Sequence, residues 1–249
     1  MTRPCTIVIP CYNEALRFPT DRFTAFALTH PHIRFLLVND GSKDNTIQVL
    51  RQAQAGLADQ VDVLDQPVNR GKGEAVRAGV LAAMDRVECV FVGFWDADLA
   101  TPLEQIDDLA AVLIERPNTA IVVGARVKLL GRRVERRAIR HYLGRIFATV
   151  VSTLLRLPIY DTQCGAKLFR VCLETRVLFA EPFGSRWVFD VEILARFIRE
   201  RGYDMRSVEA SIYEFPLQEW RDVAGSQVRA KDFFRAFIDV FKIYLRYRP

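Results

Sequence analysis

The sequence predicts an α/β protein of Rossmann-like type, with a mostly parallel central sheet and flanking helices. Short apolar runs alternate with helical segments three times before a fourth apolar run, which is the order typical of doubly wound sheets. Each of these runs ends in a polar loop. The composition, 50% hydrophobic and 26% charged, is that of an ordinary globular protein.

The elements are predicted in order from apolar periodicity and turn residues. We expect strands at 6–10, 34–39, 61–64 and 89–95, separated by helices at 20–28, 46–55 and 69–84. There follow a helix at 103–115, a strand at 119–125, an apolar helix at 143–157, a short strand after 161–166, a helix at 187–201 and a last strand at 205–212. Right-handed crossovers would gather the polar loops of the first half at one edge of the sheet. That edge would carry Tyr12, Asn13, Glu14, Asp40, Ser42, Lys72, Asp96 and Asp98.

Two carboxylates, Asp96 and Asp98, directly follow the fourth apolar run. Ligands of open α/β sheets bind at the carboxyl ends of the strands, so a hard cation or a ribose is expected beside these residues. The alternative is a loop pair that caps the helix beginning near Pro102. The Asp-x-Asp motif does not by itself decide between these interpretations.

Other ligand classes lack their motifs. The first strand leads into Pro10-Cys-Tyr-Asn-Glu14 instead of the glycine-rich turn of dinucleotide-binding proteins, and no phosphate-binding loop of the Gly-Lys-Ser/Thr type is present. What remains is a nucleotide diphosphate held through a divalent metal, Mg²⁺ or Mn²⁺, with Asp98 as ligand and Asp96 near the ribose or the metal.

The basic charge is concentrated in one segment. The net charge is +5, and residues 126–145 alone hold eight Arg or Lys and one acid, Glu135. Such a patch indicates a polyanionic partner: nucleic acid, an anionic membrane surface or a phosphorylated substrate. The segment has no helix-turn-helix, RNA-binding aromatic pair or zinc site, so we expect no nucleic acid partner.

The location is predicted from cysteines and apolar runs. Five scattered cysteines suggest reduced thiols in a cytoplasm. We expect neither a signal peptide nor a membrane span, because the uncharged stretch 146–155 is about half the required length. Over 231–247, aromatic residues recur at near-helical spacing with basic residues around them, which predicts an amphipathic helix that lies on a membrane or docks on the core.

A set of ordered motifs carries a family resemblance. They are Ile9-Pro-Cys-Tyr-Asn-Glu14, Val38-Asn-Asp-Gly-Ser42 with Asp44 and Thr46, Asn69-Arg-Gly-Lys-Gly73, Asp96-Ala-Asp98, Gly124-Ala-Arg126, Asp161-Thr-Gln-Cys-Gly165 with Lys167, and Arg186-Trp187 with Phe189, Asp190 and Glu192. Together, from residue 7 to about 226, they resemble the family 2 glycosyltransferases. More narrowly, they resemble the branch that transfers glucose or mannose to polyprenyl (dolichyl) phosphate.

The resemblance implies a GT-A fold and inverting transfer of a hexose from a UDP- or GDP-sugar to a lipid phosphate. It implies a GT-A domain over 1–226, with a nucleotide-sugar half at 1–126 and an acceptor half at 127–226. The amphipathic helix over 227–249 would follow, and the protein would act as a peripheral protein on the cytoplasmic face of a membrane.

The resemblance also implies residue roles. Pro10, Tyr12, Glu14 and Asp40 would hold base and ribose, and the rest of the nucleotide-sugar site would be Asn13, Ser42, Lys72, Asp96, Ala97 and Asp98. Asp96 and Asp98 would bind the metal, while Arg126 would neutralise phosphate charge. Mannose-transferring relatives commonly have Gln two residues after the second Asp. Ala100 stands there in this chain and favours glucose.

The acceptor determines whether a base is needed. A phosphomonoester has a second pKa of about 6 and is already largely dianionic at neutral pH, so it needs cations and no base. The candidate cations are Arg126, Arg145, Lys167 and Arg221, with Ser226 in a Gly-Ser pattern that lacks its usual Lys; Arg145 and Lys167 could equally be solvated rim residues. Asp190 could be the base for a hydroxyl acceptor, an acceptor-orienting group or a helix-terminal acid.

Overall fold

The computed structural model describes residues 3–86, 88–135, 138–223 and 230–248, without the side chains of 138–141 and 230–234. The elements are β1 (Cys5–Cys11), α1 (Thr20–Thr29), β2 (Ile33–Asp40), α2 (Thr46–Gln54), β3 (Val61–Gln66), α3 (Lys72–Met84), β4 (Phe91–Phe94), α4 (Gln105–Glu115), β5 (Ile121–Ala125), β6 (Arg133–Glu135), α5 (Ala138–Leu155), β7 (Lys167–Arg170), α6 (Leu173–Ala180), α7 (Phe189–Glu200), α8 (Met205–Ser211), β8 (Ile212–Pro216), β9 (Glu219–Arg221) and α9 (Ala230–Tyr247).

A seven-stranded sheet forms the centre of the molecule, in the order β3-β2-β1-β4-β7-β5-β8. The first four of these strands are parallel, and β5 and β8 are also parallel. Strand β7 is antiparallel to both of its neighbours, β4 and β5. The predicted α/β fold with a mostly parallel sheet is therefore confirmed.

The core lies on both faces of this sheet. Along β1, Ile7 and Ile9 pack into the apolar cluster on one face, whereas Val8 packs into the cluster on the other. Helix α3 approaches the sheet closely at Gly79, where a Cβ would lie 2.4 Å from Val8 Cγ1. Burial on both faces explains why the central strands are nearly continuous apolar runs in the sequence.

Residues 205–212 were predicted as a strand, and this is wrong for most of the segment. They form helix α8, and the strand begins only at Ile212. The carboxylate of Asp204 accepts hydrogen bonds from the backbone N–H groups of Arg206 (3.1 Å) and Ser207 (3.3 Å). This N-cap outweighs the apolar content of the segment, since capping stabilises a helix start by about 1 kcal/mol. Helix α6 and the small sheet of β6 and β9 were not predicted.

The C-terminal helix α9 is present and docks on the core with one face. Val240, Ile243 and Tyr247 are buried against α5 and α7. The Tyr247 hydroxyl donates to the buried Glu192 Oε1 at 2.8 Å. The predicted boundary between the GT-A domain and this helix, at 226 and 227, lies outside the described residues.

Candidate active site

A cleft of about 840 Å³ opens where β1, β2, β4 and β5 end. The loops that leave these strands supply its polar wall, as expected for the carboxyl edge of a parallel sheet. The predicted nucleotide-sugar residues that line the cleft are Pro10, Tyr12, Glu14, Asp40, Lys72, Asp96, Ala97 and Asp98.

Asn13 and Ser42 are not among the residues that line the cleft. They connect the loop after β1 with the loop after β2. The Asn13 N–H donates to Ser42 Oγ at 3.0 Å, and Asn13 Oδ1 accepts from the Lys43 N–H at 2.9 Å. Their position supports a role in holding the loops of β1 and β2 together.

Trp95 anchors the loop that carries Asp96 and Asp98. This side chain is fully buried, and its Nε1 donates to the Thr101 carbonyl at 2.9 Å. Asp98 Oδ1 accepts from the Ala100 N–H at 3.1 Å. These bonds close the loop on itself and place both carboxylates in the cleft.

The two carboxylates are in different electrostatic environments. Lys72 Nζ lies 2.5 Å from Asp96 Oδ1. Burial is the largest single influence and raises the pKa of Asp96, but Lys72, together with the charges of Arg126 and Lys167, outweighs burial, and the net pKa is lowered. For Asp98, burial and then the charge of Asp96 raise the pKa. The negative charge at Asp98 is therefore incompletely compensated, which makes it a favourable position for a cation.

Glu14 adds further negative charge beside Asp98. Its Oε2 atom is buried and accepts no hydrogen bond within the described part of the chain. Burial raises the pKa of Glu14, and Arg17 opposes this rise. The Arg17 guanidinium lies 3.7 Å from both Glu14 Oε2 and Asp98 Oδ2. Arg17 thus offsets part of the negative charge of both acids.

Glycine at position 165 allows the segment 161–165 to pack against Asp96. A Cβ added at Gly165 would lie 1.8 Å from Asp96 Oδ2 and 2.1 Å from its carboxyl carbon. No side chain fits this space, so the segment 161–165 and the Asp96 carboxylate set each other's position.

Asp40 is held by backbone groups at the start of α3. Its carboxylate accepts from the N–H groups of Arg70 and Gly71, each at 2.8 Å, and from Asn69 Nδ2 at 3.0 Å. Burial raises the pKa of Asp40, and the two backbone hydrogen bonds oppose that rise. The Asp40 carboxylate therefore faces the cleft in a fixed orientation.

Two arginines line the opposite wall. Arg126 forms a bidentate pair with Asp161, with Nε to Oδ2 at 2.7 Å and Nη2 to Oδ1 at 2.8 Å. Arg145 donates to the Tyr160 carbonyl at 2.9 Å, and its guanidinium lies 3.6 Å from the centroid of the Tyr160 ring. Both side chains are ordered by these contacts and remain part of the cleft wall.

Lys167 and Asp190 lie away from the cleft wall, as a buried pair. Lys167 Nζ donates to Asp190 Oδ1 at 2.6 Å, to the Cys164 carbonyl at 2.7 Å and to the Thr162 carbonyl at 3.0 Å. The two side chains are only 1% and 6% exposed. Three acceptors occupy the ammonium, so this position does not support direct contact of Lys167 with an acceptor phosphate, and Lys167 is not a solvated rim residue.

Arg221 and Ser226 were also predicted to bind the acceptor phosphate. The Arg221 side chain is 64% exposed and pairs with Glu219 at 2.7 Å, and it is not among the lining residues. Ser226 lies outside the described residues.

The cleft becomes apolar where α5 and α9 form its wall. Apolar lining residues there are Leu143, Phe147 and Ala148 of α5, Ala236 of α9, and Val188 just before α7. The same two helices expose apolar side chains to solvent: Tyr142, Leu143, Ile146, Ile238, Phe241 and Leu245. The polar end and the apolar end thus belong to one continuous cleft.

Several lining residues were not assigned a role from the sequence. Arg17 and Trp220 have no local pattern that marks them, and both come to the cleft only through the fold. Asn69, Asp161 and Arg186 lie within the recognised motifs, and this is the signal that could have identified them.

Comparisons with known proteins identify the family of the chain. The model of the family "Glycosyl transferase family 2" matches residues 6–174. A dolichyl-phosphate beta-glucosyltransferase of Trichomonas vaginalis is 33% identical over 98% of this chain and 71% of its own length. The corresponding enzyme of Drosophila melanogaster is 32% identical over 97% of this chain and 74% of its own length.

Solved structures show the same fold. Glucosyl-3-phosphoglycerate synthase from Mycobacterium tuberculosis, in complex with Mn²⁺, UDP and glucosyl-3-phosphoglycerate, superposes with a TM-score of 0.71 at 18% identity, over 98% of this chain and 80% of that one. Its complex with Mn²⁺ and UDP-glucose gives a TM-score of 0.70 at the same identity, over 98% of this chain and 79% of that one. The predicted GT-A fold is thereby confirmed. With a family model that matches more than half of its residues and relatives similar over nearly its whole length, the chain belongs to glycosyl transferase family 2.

Proposed function

We propose that this glycosyltransferase transfers glucose from UDP-glucose to a polyprenyl or dolichyl phosphate, with inversion and with a divalent metal. The observation that carries the proposal is the single cleft that passes from carboxylates, through arginines, to an apolar wall at α5 and α9. This order matches a diphosphate donor, a phosphate acceptor and a lipid chain. The similarity to dolichyl-phosphate beta-glucosyltransferases supports the same choice.

The donor would bind at the ends of β1, β2 and β4. Tyr12 and Pro10 supply flat surfaces for the base, while the fixed Asp40 carboxylate accepts hydrogen bonds from base or ribose. Ala97, between the two acids, leaves room for the sugar diphosphate. Lys72, paired with Asp96, is placed to offset diphosphate charge.

The residues present fit a Mg²⁺ or Mn²⁺ ion held together with the diphosphate. Asp98 and Asp96 are the protein ligands in this proposal, and no group of three or more His, Cys, Asp or Glu side chains forms a complete metal cage within the described ranges. Such a site is typical of a metal that takes its remaining ligands from water and substrate phosphates. When bound, the ion would neutralise charge on the leaving diphosphate.

Glucose as the sugar is supported by Ala100. This residue stands where mannose-transferring relatives commonly have glutamine, and it is buried in the cleft wall. An alanine offers no side-chain oxygen to the metal, so the site keeps the two carboxylates as its protein ligands.

The acceptor phosphate would bind between Arg126 and Arg145. One of its oxygens attacks the anomeric carbon of glucose, the bond from that carbon to the UDP oxygen breaks, and UDP leaves with the bonding electron pair. Two approaching anionic groups repel each other by about 4 kcal/mol at 4 Å near a protein surface, so these cations lower the barrier. The dianionic phosphate needs no proton removed.

A hydroxyl acceptor, with Asp190 as base, is the alternative. The ion pair with Lys167 holds the Asp190 carboxylate away from the lining of the cleft, which favours the phosphate acceptor. The variant Asp190→Asn would leave Lys167 buried without its counter-charge, at a cost of about 3–5 kcal/mol in the free energy of unfolding. We expect the double variant Lys167→Met with Asp190→Asn to recover much of that stability.

Turnover by these variants separates the two acceptors. We expect the folded double variant to retain turnover within about tenfold of wild type, because a general base typically contributes about 10²–10⁴. Initial rates should be measured below the unfolding temperature of each variant. A loss of about a thousandfold with UDP binding unchanged would instead indicate a hydroxyl acceptor with Asp190 as base.

We further propose that α5 and α9 lie on the cytoplasmic surface of a membrane as a peripheral attachment. None of the helices in the described ranges is long and apolar enough to cross a bilayer. Phe241 is 54% exposed and Leu245 is 45% exposed on a helix that also carries Arg235, Lys242 and Arg246. Apolar groups flanked by basic ones are typical of helices that bind anionic lipid surfaces.

Membrane binding by α9 should depend on these two side chains. We expect the variant with Phe241→Ser and Leu245→Ser to bind anionic vesicles at least about tenfold more weakly in a sedimentation assay, since each side chain would bury apolar area in lipid. High salt should weaken binding of the wild type. Leu173→Ser, at a leucine that is 79% exposed on α6, is the control. Equal binding by both variants would refute this orientation.

The proposed reaction is tested by incubating the purified protein with a panel of nucleotide sugars, Mg²⁺ or Mn²⁺, and a short polyprenyl phosphate. We expect UDP to be released from UDP-glucose and a glucosylated lipid phosphate to form. Release of a different diphosphate would identify another donor, and no lipid product with any donor would contradict the proposal.

A further inference from the structure

Arg186 joins the acceptor half of the cleft to the donor half. It lies just before α7, and its guanidinium reaches the segment 69–71 at the start of α3. Nε donates to the Arg70 carbonyl at 3.0 Å, while Nη2 donates to the Asn69 carbonyl at 3.0 Å and to Asn69 Oδ1 at 2.6 Å. In return, the Gly73 N–H donates to the Arg186 carbonyl at 3.3 Å.

The segment that Arg186 holds is the one that orients Asp40. Every hydrogen bond to the Asp40 carboxylate described above comes from Asn69, Arg70 or Gly71. Gly71 has φ +95, and a Cβ there would lie 2.6 Å from Arg186 Nε. The glycine therefore permits both the backbone conformation and the close approach of the arginine.

Arg186 is itself held from the opposite side. The neighbouring Ser185 hydroxyl donates to Asp239 Oδ2 of α9 at 2.8 Å and accepts from the N–H groups of Trp187 and Val188. Gly184 donates its N–H to the buried Glu192 of α7 at 2.8 Å. The backbone that carries the Arg186 side chain is thus held by α7 and α9, both outside the nucleotide-sugar half.

We propose that Arg186 is a positioning residue for the nucleotide: it acts through Asn69, Arg70 and Gly71 to hold Asp40 in the orientation that binds base and ribose. This inference rests on the proposed function, because it assumes a uridine nucleotide in the cleft. It assigns part of the donor site to a residue of the acceptor half.

The test is the binding of UDP and of uridine by Arg186→Met, measured by calorimetry. We expect the dissociation constants of both ligands to rise by about tenfold, because three hydrogen bonds that fix the Asp40 segment are lost. The KM for UDP-glucose should rise in parallel, whereas kcat at saturating donor and the KM for polyprenyl phosphate should stay within about twofold. Arg186→Lys should recover little, because an ammonium cannot form the same fork.

Two controls make the result decisive. Arg176→Met removes an exposed arginine that pairs with Asp85 outside the cleft, and it should bind UDP as the wild type does. Ser185→Ala removes the hydroxyl that holds the backbone beside Arg186, and it should weaken UDP binding by about threefold. This variant replaces Arg186→Met in the test if Arg186→Met does not fold.

Unchanged affinity for UDP in Arg186→Met, or in Ser185→Ala if only that variant folds, would overturn the inference, as would a loss confined to kcat. A wild-type protein that binds neither UDP nor uridine would instead refute the proposed function.

Discussion

The variant Asp98→Asn is expected to lose about three orders of magnitude in turnover while it remains folded. Burial and the nearby charge of Asp96 both raise the pKa of Asp98, so its negative charge is incompletely compensated by the protein. In the proposed reaction this charge would hold the metal and diphosphate, and its loss would remove stabilisation of the leaving group that is commonly worth several kcal/mol. Folding should be preserved, because removing a raised-pKa carboxylate relieves repulsion.

The measurement is the initial rate of UDP release, together with Mn²⁺ binding in the presence of UDP. Removal of divalent metal by EDTA from the wild type should reproduce the loss, and added Mn²⁺ should restore it. Asp85→Asn, at an exposed acid paired with Arg176, is the matched control and should keep full activity. Asp98→Asn with at least a tenth of wild-type turnover would contradict the assigned role.

Gly165→Ala is expected to reduce turnover by about a hundredfold, although it adds a single methyl group to a residue that is not among the lining residues of the cleft. The new Cβ would lie 1.8 Å from Asp96 Oδ2, so the carboxylate or the segment 161–165 has to move. A displacement of about 1 Å in a site of this kind can cost about 10² in rate, and overpacking typically costs about 1–3 kcal/mol of stability.

Rates and thermal unfolding should be measured together for this variant. Gly184→Ala is the control, because the nearest atom to its added Cβ lies 3.5 Å away. We expect that control to remain close to wild type in both measurements. Unchanged turnover by Gly165→Ala would mean that the position of Asp96 is not critical.

The donor side of the cleft was predictable because its signals are local. Each strand of the first half is an apolar run that ends in a polar loop, and parallel strands bring their carboxyl ends to one edge. Asp40, Lys72, Asp96 and Asp98 therefore meet as expected. Their individual chemical roles stay predictions until the variants are measured.

The acceptor side was less predictable because its contacts are not local. Strand β7 inserts antiparallel between β4 and β5, and this carries Lys167 into the interior, where it meets Asp190. A lysine in a short strand has no sequence pattern that distinguishes a buried ion pair from a solvated side chain. Arg186 likewise reaches Asn69 across the fold, through a contact that no spacing predicts.

For helix α9 the sequence left two interpretations open: docking on the core or contact with a membrane. Its buried face carries Val240, Ile243 and Tyr247, and its exposed face carries Ile238 and Phe241. A repeat of aromatic and basic residues at helical spacing predicts amphipathicity, but it does not distinguish docking on protein from docking on lipid. The structure shows that α9 docks on the protein core. Contact of its exposed face with lipid is the membrane proposal.

In the proposed reaction, arginines bind the acceptor phosphate and no base activates it. The most direct test compares a short polyprenyl phosphate with the polyprenol of the same chain length, each with UDP-glucose and Mg²⁺. We expect glucosylated product from the phosphate and none from the alcohol. Glucosylation of the polyprenol at a comparable rate would contradict a phosphate acceptor.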